Sequence, residues 1–440
     1  MQNSKVYFWS VTVALGGLLF GIDTAVISGA EQSIQKLWNL NVFEHGLTVS
    51  IALWGTVVGA LFGGIPTDRL GRKKTLIWIA ILYFISAVGS ALAFDWYSFL
   101  FFRLIGGFGV GASSITAPMY IAEVSPATHR GRLVALFQAN VVFGILVAYL
   151  SNYLLQDAGE HAWRWMLGME AFPALFFLVA VFFIPESPRW LILKRGAVAE
   201  AERVFAMINP STARAEVNSI LADQSAHAKI KGENLFHRKH RWPVILAFLF
   251  AFFNQVSGIN AIIYYAPRIF EMTGAGTSTA LLTTLGIGIV NFVFTMAAMF
   301  FIDRLGRRSL MLVGSVGLII TLALTARAFF TNQFEGVPVY LFAYIAFFAF
   351  SQGAVIWVFI SEIFPNSVRA GGTALGSFTH WFMASVISFI FPFIATELGG
   401  GPSFTIFAVM MVLQLLFVWK WMPETKGKSL EQLSAAIEEK

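Results

Sequence analysis

Twelve stretches of this chain are long and apolar enough to cross a bilayer, and that pattern leaves few folds open. A helix needs about 20 apolar residues to span the hydrocarbon. Inside lipid only helices and closed barrels satisfy every backbone group. Such runs lie near 7–30, 46–66, 75–94, 97–120, 133–155 and 163–184, and again near 242–270, 279–302, 309–330, 338–362, 371–395 and 402–422. They are numbered spans 1 to 12. A polar stretch, 185–241, separates the two sets of six, and a polar tail, 423–440, follows.

Charge supports the same reading. Only 12% of the 440 residues are charged, about half the share usual in soluble domains. The net charge of +6 does not mark a nucleic-acid binder, because the basic residues sit in short loops between apolar runs. With no cysteine, disulfides, thiolate metal sites and thiol catalysis are excluded. The N-terminal apolar run has spanning length and no small-residue cleavage site after a short core, so it reads as a first span rather than a signal peptide.

Lys and Arg set the expected orientation. With the N-terminus in the cytoplasm, 25 of the 30 fall in cytoplasmic segments, Arg103 lies inside a span, and only Lys36, Arg164, Arg268 and Arg327 lie opposite. Both termini are therefore expected inside. Aromatic residues at span ends, such as Trp96, Tyr97, Trp163, Trp242 and Trp419, fit the headgroup level.

The two sets of six repeat one another. Asp68-Arg69-Leu70-Gly71-Arg72-Lys73 recurs as Asp303-Arg304-Leu305-Gly306-Arg307-Arg308 at offset 235. Glu123, Pro126 and Arg130 recur as Glu362, Pro365 and Arg369 at offset 239, and Pro185-Glu186-Ser187 as Pro423-Glu424-Thr425 at offset 238. Two parallel halves imply a pathway between them with a substrate near the midplane. The expected domains are a bundle over 1–184, a cytoplasmic linker domain over 185–241, a bundle over 242–422 and the tail. The repeated charges suggest a cytoplasmic gate, in which the loop arginines pair with carboxylates and helix C-termini across the cytoplasmic face and hold the inside shut. Anchoring of loops to anionic lipid is the alternative.

GGLLFGIDTAVISGA at 16–30, DRLGRKK at 68–74, RLIGGFGVG at 103–111, PESPRWL at 185–191, NQVSGINAIIYYAP at 254–267, SEIFP at 361–365 and PETKGKSLEQL at 423–433 together resemble the sugar porter family of the major facilitator superfamily. The resemblance runs over nearly the whole chain. It implies an all-α membrane protein with twelve helices in two six-helix bundles and a small helical cytoplasmic linker domain, to which the Ala-, Glu- and Arg-rich stretch 193–225 is suited. It implies membrane transport of sugars, by proton symport as in bacterial xylose, arabinose and hexose symporters or by facilitation as in animal glucose carriers. The gate residues expected from these loop charges are Arg69, Arg72, Glu123, Arg130, Glu186, Arg189, Arg304, Arg307, Glu362 and Arg369.

Three charges stand deep within runs, Asp23, Arg103 and Glu170, and an ionisable residue in a span marks a functional site by default. Their distances from the outer ends place all three at about one level, roughly 9–11 Å down at ~1.5 Å per residue. An Asp beside Arg stays ionised, whereas in an opened pair burial favours the protonated form. A carboxylate whose partner moves can thus load and release a proton. The three match the charged trio of the bacterial xylose–proton symporters. A permanent structural salt bridge is the alternative.

A sugar offers hydroxyls and apolar ring faces, so its site calls for amides and aromatics. Span 7 holds Asn254, Gln255, Ser257, Asn260 and Tyr264, with four of the five inside a 120° sector at ~100° per residue. Gln255 falls to one side, and Gly258 would let the helix unwind and bring both amides to one cavity. The resemblance adds Phe20, Gln138, Asn291, Gly353, Trp357, His380 and Trp381 as sugar contacts. Asn254, Ala354 and His380 depart from the residues frequent in the family, which leaves the particular sugar open. Amides also serve as interhelical glue. No catalytic residue, metal or cofactor is expected, and the protein is expected to be a monomer in a bacterial inner membrane, not an enzyme. A uniporter for the same sugars or polyols is the nearest rival. A transporter-like sugar sensor is remote, since only about 18 residues follow span 12.

Overall fold

A computed structural model of the chain describes residues 2–126, 129–227, 234–365 and 367–427. Among them twelve helical segments have the length and hydropathy to cross a membrane: Ser4–Leu37, Val42–Phe62, Arg72–Ala91, Trp96–Val124, Arg130–Leu155, Ala162–Phe182, Arg238–Met272, Thr277–Leu305, Arg307–Thr331, Val337–Glu362, Arg369–Glu397 and Gly400–Trp421. Each corresponds to one apolar run, and several helices outlast their run. Span 1 continues seven residues past Ala30, to Leu37. Span 7 ends at Met272 and so contains Arg268. Large side chains such as Phe172 and Phe300 point outward on the faces a bilayer would cover. The tail from 428 onward lies outside the described residues.

Three spans break for visible reasons. Span 6 consists of Ala162–Gly168 and Ala171–Phe182, with Glu170 at the break. Span 7 stops at Val256 and restarts at Ile259, because Gly258 takes a left-handed conformation (φ +87°). A side chain at Gly258 would be strained there and would meet the Phe407 ring at 2.5 Å. Span 10 carries a π-helical turn, Ala349–Gly353, between Val337–Phe348 and Ala354–Glu362. Prolines add bends, and tyrosines repair them. Pro267 has no N–H for the carbonyl of Ile263, which accepts instead from the Tyr149 hydroxyl (2.8 Å). Pro392 likewise frees the carbonyl of Ser388, which accepts from Tyr265 (2.9 Å).

The polar stretch after span 6 forms the helices Pro188–Leu193, Val198–Ile208 and Ala213–His227. The middle one buries Ala201, Val204, Phe205 and Ile208, an i, i+3, i+4, i+7 stripe.

By packing, the chain divides into two compact units. The first is Met1–Thr24, Trp54–Ala148 and Arg164–Lys231; the second is Ala25–Leu53, Tyr149–Trp163 and Gly232–Lys440. The dividing line passes through the middle of spans 1 and 2, near the end of span 5 and through the first turn of span 6. The ends of these spans that lie away from the Asp-Arg-Leu-Gly-Arg loops therefore belong to the second unit. Within the first unit, spans 1 and 5 touch backbone to backbone at Gly21 and Gly144, where no Cβ fits.

Candidate functional site

In the first unit Asp23 and Arg103 meet. Arg103 Nη1 donates to Asp23 Oδ1 (2.5 Å) and Nη2 to the Asp23 carbonyl (2.9 Å), and both side chains are 2% exposed. The room for this pair comes from Gly106, whose Cα faces Ser86 and the Asp23 carboxylate. Glu170 is equally buried, but its Oε1 has no hydrogen-bond partner among the described residues, and the same holds for Arg103 Nε. The charged trio is thus one closed pair plus a carboxylate with an unsatisfied oxygen. Phe20 packs edge-on to Phe137 at 6.4 Å in the same unit, and Gln138 follows Phe137 half-buried.

In the second unit the amides form one chain of hydrogen bonds. Gln255 Nε2 donates to Asn254 Oδ1 (2.8 Å) and lies 3.1 Å from His380 Nδ1, while Asn260 Nδ2 donates to Gln255 Oε1 (2.6 Å). The bond from Asn260 crosses the break at Gly258, so the unwound turn draws the two segments' amides together. Asn254 also donates to the carbonyl of Gln352 in the π turn (3.4 Å), next to Gly353. The His380 ring stands 4.8 Å from Trp357 and 4.8 Å from Trp381. Tyr264 is buried, and Asn291 accepts from Thr295 on its own helix (3.4 Å). Amides and rings are therefore adjacent, which suits hydroxyls and an apolar ring face.

The repeated loop motifs form two matching clusters, one in each unit. Arg72 grips Glu123 with Nε and Nη2 (2.9 Å each), and Glu186 accepts from the backbone N–H groups of Arg72 and Lys73 (2.9 and 3.1 Å). In the second cluster Arg307 Nη2 donates to Glu362 (2.9 Å), and Glu424 accepts from the N–H groups of Arg307 and Arg308 (3.0 Å each). Gly71 (φ +97°) and Gly306 (φ +88°) open each turn, leaving a helix N-terminus bare for a carboxylate. Ser187 and Thr425 bond to Glu123 and Glu362, and Lys73 and Arg308 reach the last carbonyls of spans 6 and 12. The arginines were expected to pair across the cytoplasmic face. Here Arg72 and Arg307 each pair within their own half, because a carboxylate from the fourth span of that half stands beside each loop. Arg130 and Arg369 donate to the carbonyls of Ala122 and Phe364. Arg69, Arg189 and Arg304 lie exposed.

Sequence reasoning took Asp23, Arg103 and Glu170 as the only deep charges and missed a second buried set. Glu31 and His45 are wholly buried, and Arg268 is partly so. Glu31 was placed just beyond the end of its run, and Arg268, inside the run 242–270, was counted with the far-side charges; the longer first helix brings Glu31 into the packing, where Arg268 meets it. An acidic residue directly after an apolar run was the available signal for Glu31.

Twelve spans in two repeated sets, an intramembrane ion pair and a buried amide–aromatic cluster define a secondary transporter of the major facilitator type. The family profile described as "Sugar (and other) transporter" matches residues 9–436, and the chain belongs to that family. It is a transporter and not an enzyme. It is 36% identical over 479 residues to the D-xylose-proton symporter of Escherichia coli K12, covering 99% of this chain and 97% of that one. It is 38% identical over 433 residues to the arabinose-proton symporter of Bacillus subtilis, covering 96% and 93%. Among solved structures it matches the inward-open xylose transporter XylE of Escherichia coli with a TM-score of 0.87 at 35% identity, over 98% of this chain and 99% of the other.

Proposed function

We propose that this chain carries a monosaccharide, a pentose or a hexose, together with protons across a bacterial inner membrane by alternating access. The observation that carries the proton half is the buried Asp23–Arg103 pair together with the buried Glu170, whose Oε1 has no hydrogen-bond partner among the described residues. Such charges are costly in a membrane and persist where they work. When Arg103 leaves Asp23, the carboxylate takes a proton from one side; when the pair re-forms, the proton is released. The proton symporters of xylose and arabinose among the relatives support this reading.

Sugar binding is assigned to Asn254, Gln255, Asn260, Tyr264, Asn291, Gly353, Trp357, His380 and Trp381, with Phe20 and Gln138 from the first half. The bodies that move are the sequence halves 1–184 and 242–422, linked by 185–241. Both termini are assigned to the cytoplasm, a reading that the Lys/Arg bias supports. The two charge clusters then lie at the cytoplasmic face and stiffen that end of each half, and the working unit is a monomer.

The test is uptake of labelled pentoses, hexoses and polyols into proteoliposomes, with and without an imposed proton gradient. Accumulation of one monosaccharide above its equilibrium level, abolished by a protonophore, is expected. Equilibration with no response to the gradient leaves a uniporter, and transport of no sugar overturns the reading.

A further inference from the structure

The second buried charge set has a role that the sugar and proton sites leave unassigned. Arg268 grips Glu31 with Nε (3.0 Å) and Nη2 (2.8 Å) and also donates to Gln35 (2.6 Å). His45 Nε2 lies 2.9 Å from Glu31 Oε2, the oxygen that Arg268 Nη2 also reaches, and the Glu31 and His45 side chains are 0% exposed. Neither ring nitrogen of His45 makes a well-aligned hydrogen bond among the described residues. Glu31 belongs to span 1 and His45 to span 2, whereas Arg268 belongs to span 7, so the cluster joins the two sequence halves. It does so at the end away from the Asp-Arg-Leu-Gly-Arg loops.

Position explains the pairing. Gly21-Ile22-Asp23 recurs as Gly258-Ile259-Asn260 at offset 237, and the same offset carries Glu31 onto Arg268. The two are equivalent residues of a parallel repeat, and equivalent residues beside a pseudo-two-fold axis face each other. Like charges there would repel; this chain has placed opposite ones. Around them the contacts also join the halves: Phe43 lies edge-on to Phe389 at 5.1 Å, Gly46 meets the Phe389 carbonyl, and Tyr149 holds the Ile263 carbonyl.

We infer that Glu31, Arg268 and His45 form an ionic lock that shuts the outer end of the sugar path and separates in every transport cycle. The inference rests on the alternating-access reading above, since halves that rock must break whatever joins them at one end. A bidentate buried pair is strong enough to bias that equilibrium, because removing one partner strands a buried charge. The Met272 end of span 7 is the element it pulls, hinged at Gly258 and at the Pro267 bend.

The chain has no cysteine, which makes thiol labelling clean. Ile34 is wholly buried, one turn beyond Glu31. In an Ile34→Cys background in nanodiscs, Glu31→Gln is expected to raise the maleimide alkylation rate ten-fold or more. Arg268→Lys, which keeps the charge but loses the fork, and His45→Gln are expected to raise it by smaller factors. Ala174→Cys, also wholly buried but in the first unit, reports general loosening. Rates at Ile34→Cys within two-fold of the parent in all the variants that purify folded overturn the lock, as does an equal rise at Ala174→Cys. Labelling needs no sugar. A protein that carries none but still shows the rise fails the transport reading and keeps the lock; a competent transporter without the rise does the reverse.

Discussion

Gly21-Ile22-Asp23 in span 1 and Gly258-Ile259-Asn260 in span 7 are the same three positions of one repeat, yet they are built differently. Span 1 runs through its copy as an unbroken helix, with Gly21 serving as the contact point for Gly144. Span 7 breaks at its copy, with Gly258 left-handed. The third position is a carboxylate paired with Arg103 in one half and an amide bonded to Gln255 in the other. At the loop face, by contrast, the two halves agree almost bond for bond. Matching scaffolds at that end thus carry different chemistry inside: the half with the rigid copy holds charge, and the half with the unwound copy gathers amides.

The sharpest way to erase the difference is Asp23→Asn, which gives span 1 the residue type of span 7. Without a titratable partner for Arg103, accumulation driven by a proton gradient is expected to vanish, while exchange of sugar across the membrane persists. Accumulation by Asp23→Asn proteoliposomes would show that the proton is handled elsewhere. The reverse change, Asn260→Asp, sets a carboxylate against Gln255 Oε1, now 2.6 Å from the Asn260 amide nitrogen. Losing that bond and burying an unpaired oxygen costs about 1–3 kcal/mol, so sugar affinity should fall roughly ten- to a hundred-fold. Isothermal titration of the purified protein reads it, and an unchanged affinity would remove Asn260 from the binding set.

How much of this was legible beforehand varies with its physical cause. The twelve spans follow from run length, and the repeat from exact recurrence of Gly71 and Gly306, each with the arginine after it. The break in span 7 had a local cause in the sequence, Gly258. The π turn at Ala349–Gly353 has no comparable signal, since it depends on how span 10 packs against its neighbours. Glu31 escaped because an apolar run measures lipid contact, whereas its helix continues past the run to Leu37; Arg268 escaped because, although inside its run, it was counted with the charges at the far membrane face. The pairing of Arg72 with Glu123 inside one half could not be told from a pairing across halves, because recurrence fixes which residues matter and leaves their partners open.

The loop-face agreement can be tested for its limits. Arg72 makes two bonds to Glu123, which is 10% exposed; Arg307 makes one to Glu362, which is 24% exposed, and its Nε has no partner among the described residues. Breaking a well-buried pair costs about 3–5 kcal/mol. Arg72→Ala should therefore lower the thermal midpoint in detergent more than Arg307→Ala, and equal shifts would mean that the extra bond contributes nothing.

The smallest expected effect lies in the two helix-capping carboxylates. Burial pushes Glu186 above the usual carboxylate range despite its backbone N–H partners and Arg72. Glu424 is also penalised by burial, but it is less enclosed, and N–H groups from Lys426, Arg307, Arg308 and Thr425 outweigh that and hold it below. The signs are then opposite. For Glu186 the protonated form suits the folded state, so its contribution is fully present below an ordinary Glu value of 4.5 and is lost as pH rises through its higher folded value. For Glu424 the ionised form is favoured, so its contribution is present above 4.5 and is lost as pH falls through its lower folded value. On acidifying from neutral pH toward 4.5, Glu186→Gln should therefore remove a gain in stability that the parent shows. Glu424→Gln should lower the midpoint at neutral pH and flatten the loss below 4.5. Melting curves from pH 3.5 to 7.5 would show it, with shifts of about 1–3 °C. Two parallel curves would mean that the clusters are equivalent in charge as well as in shape, and that the halves differ only in their interiors.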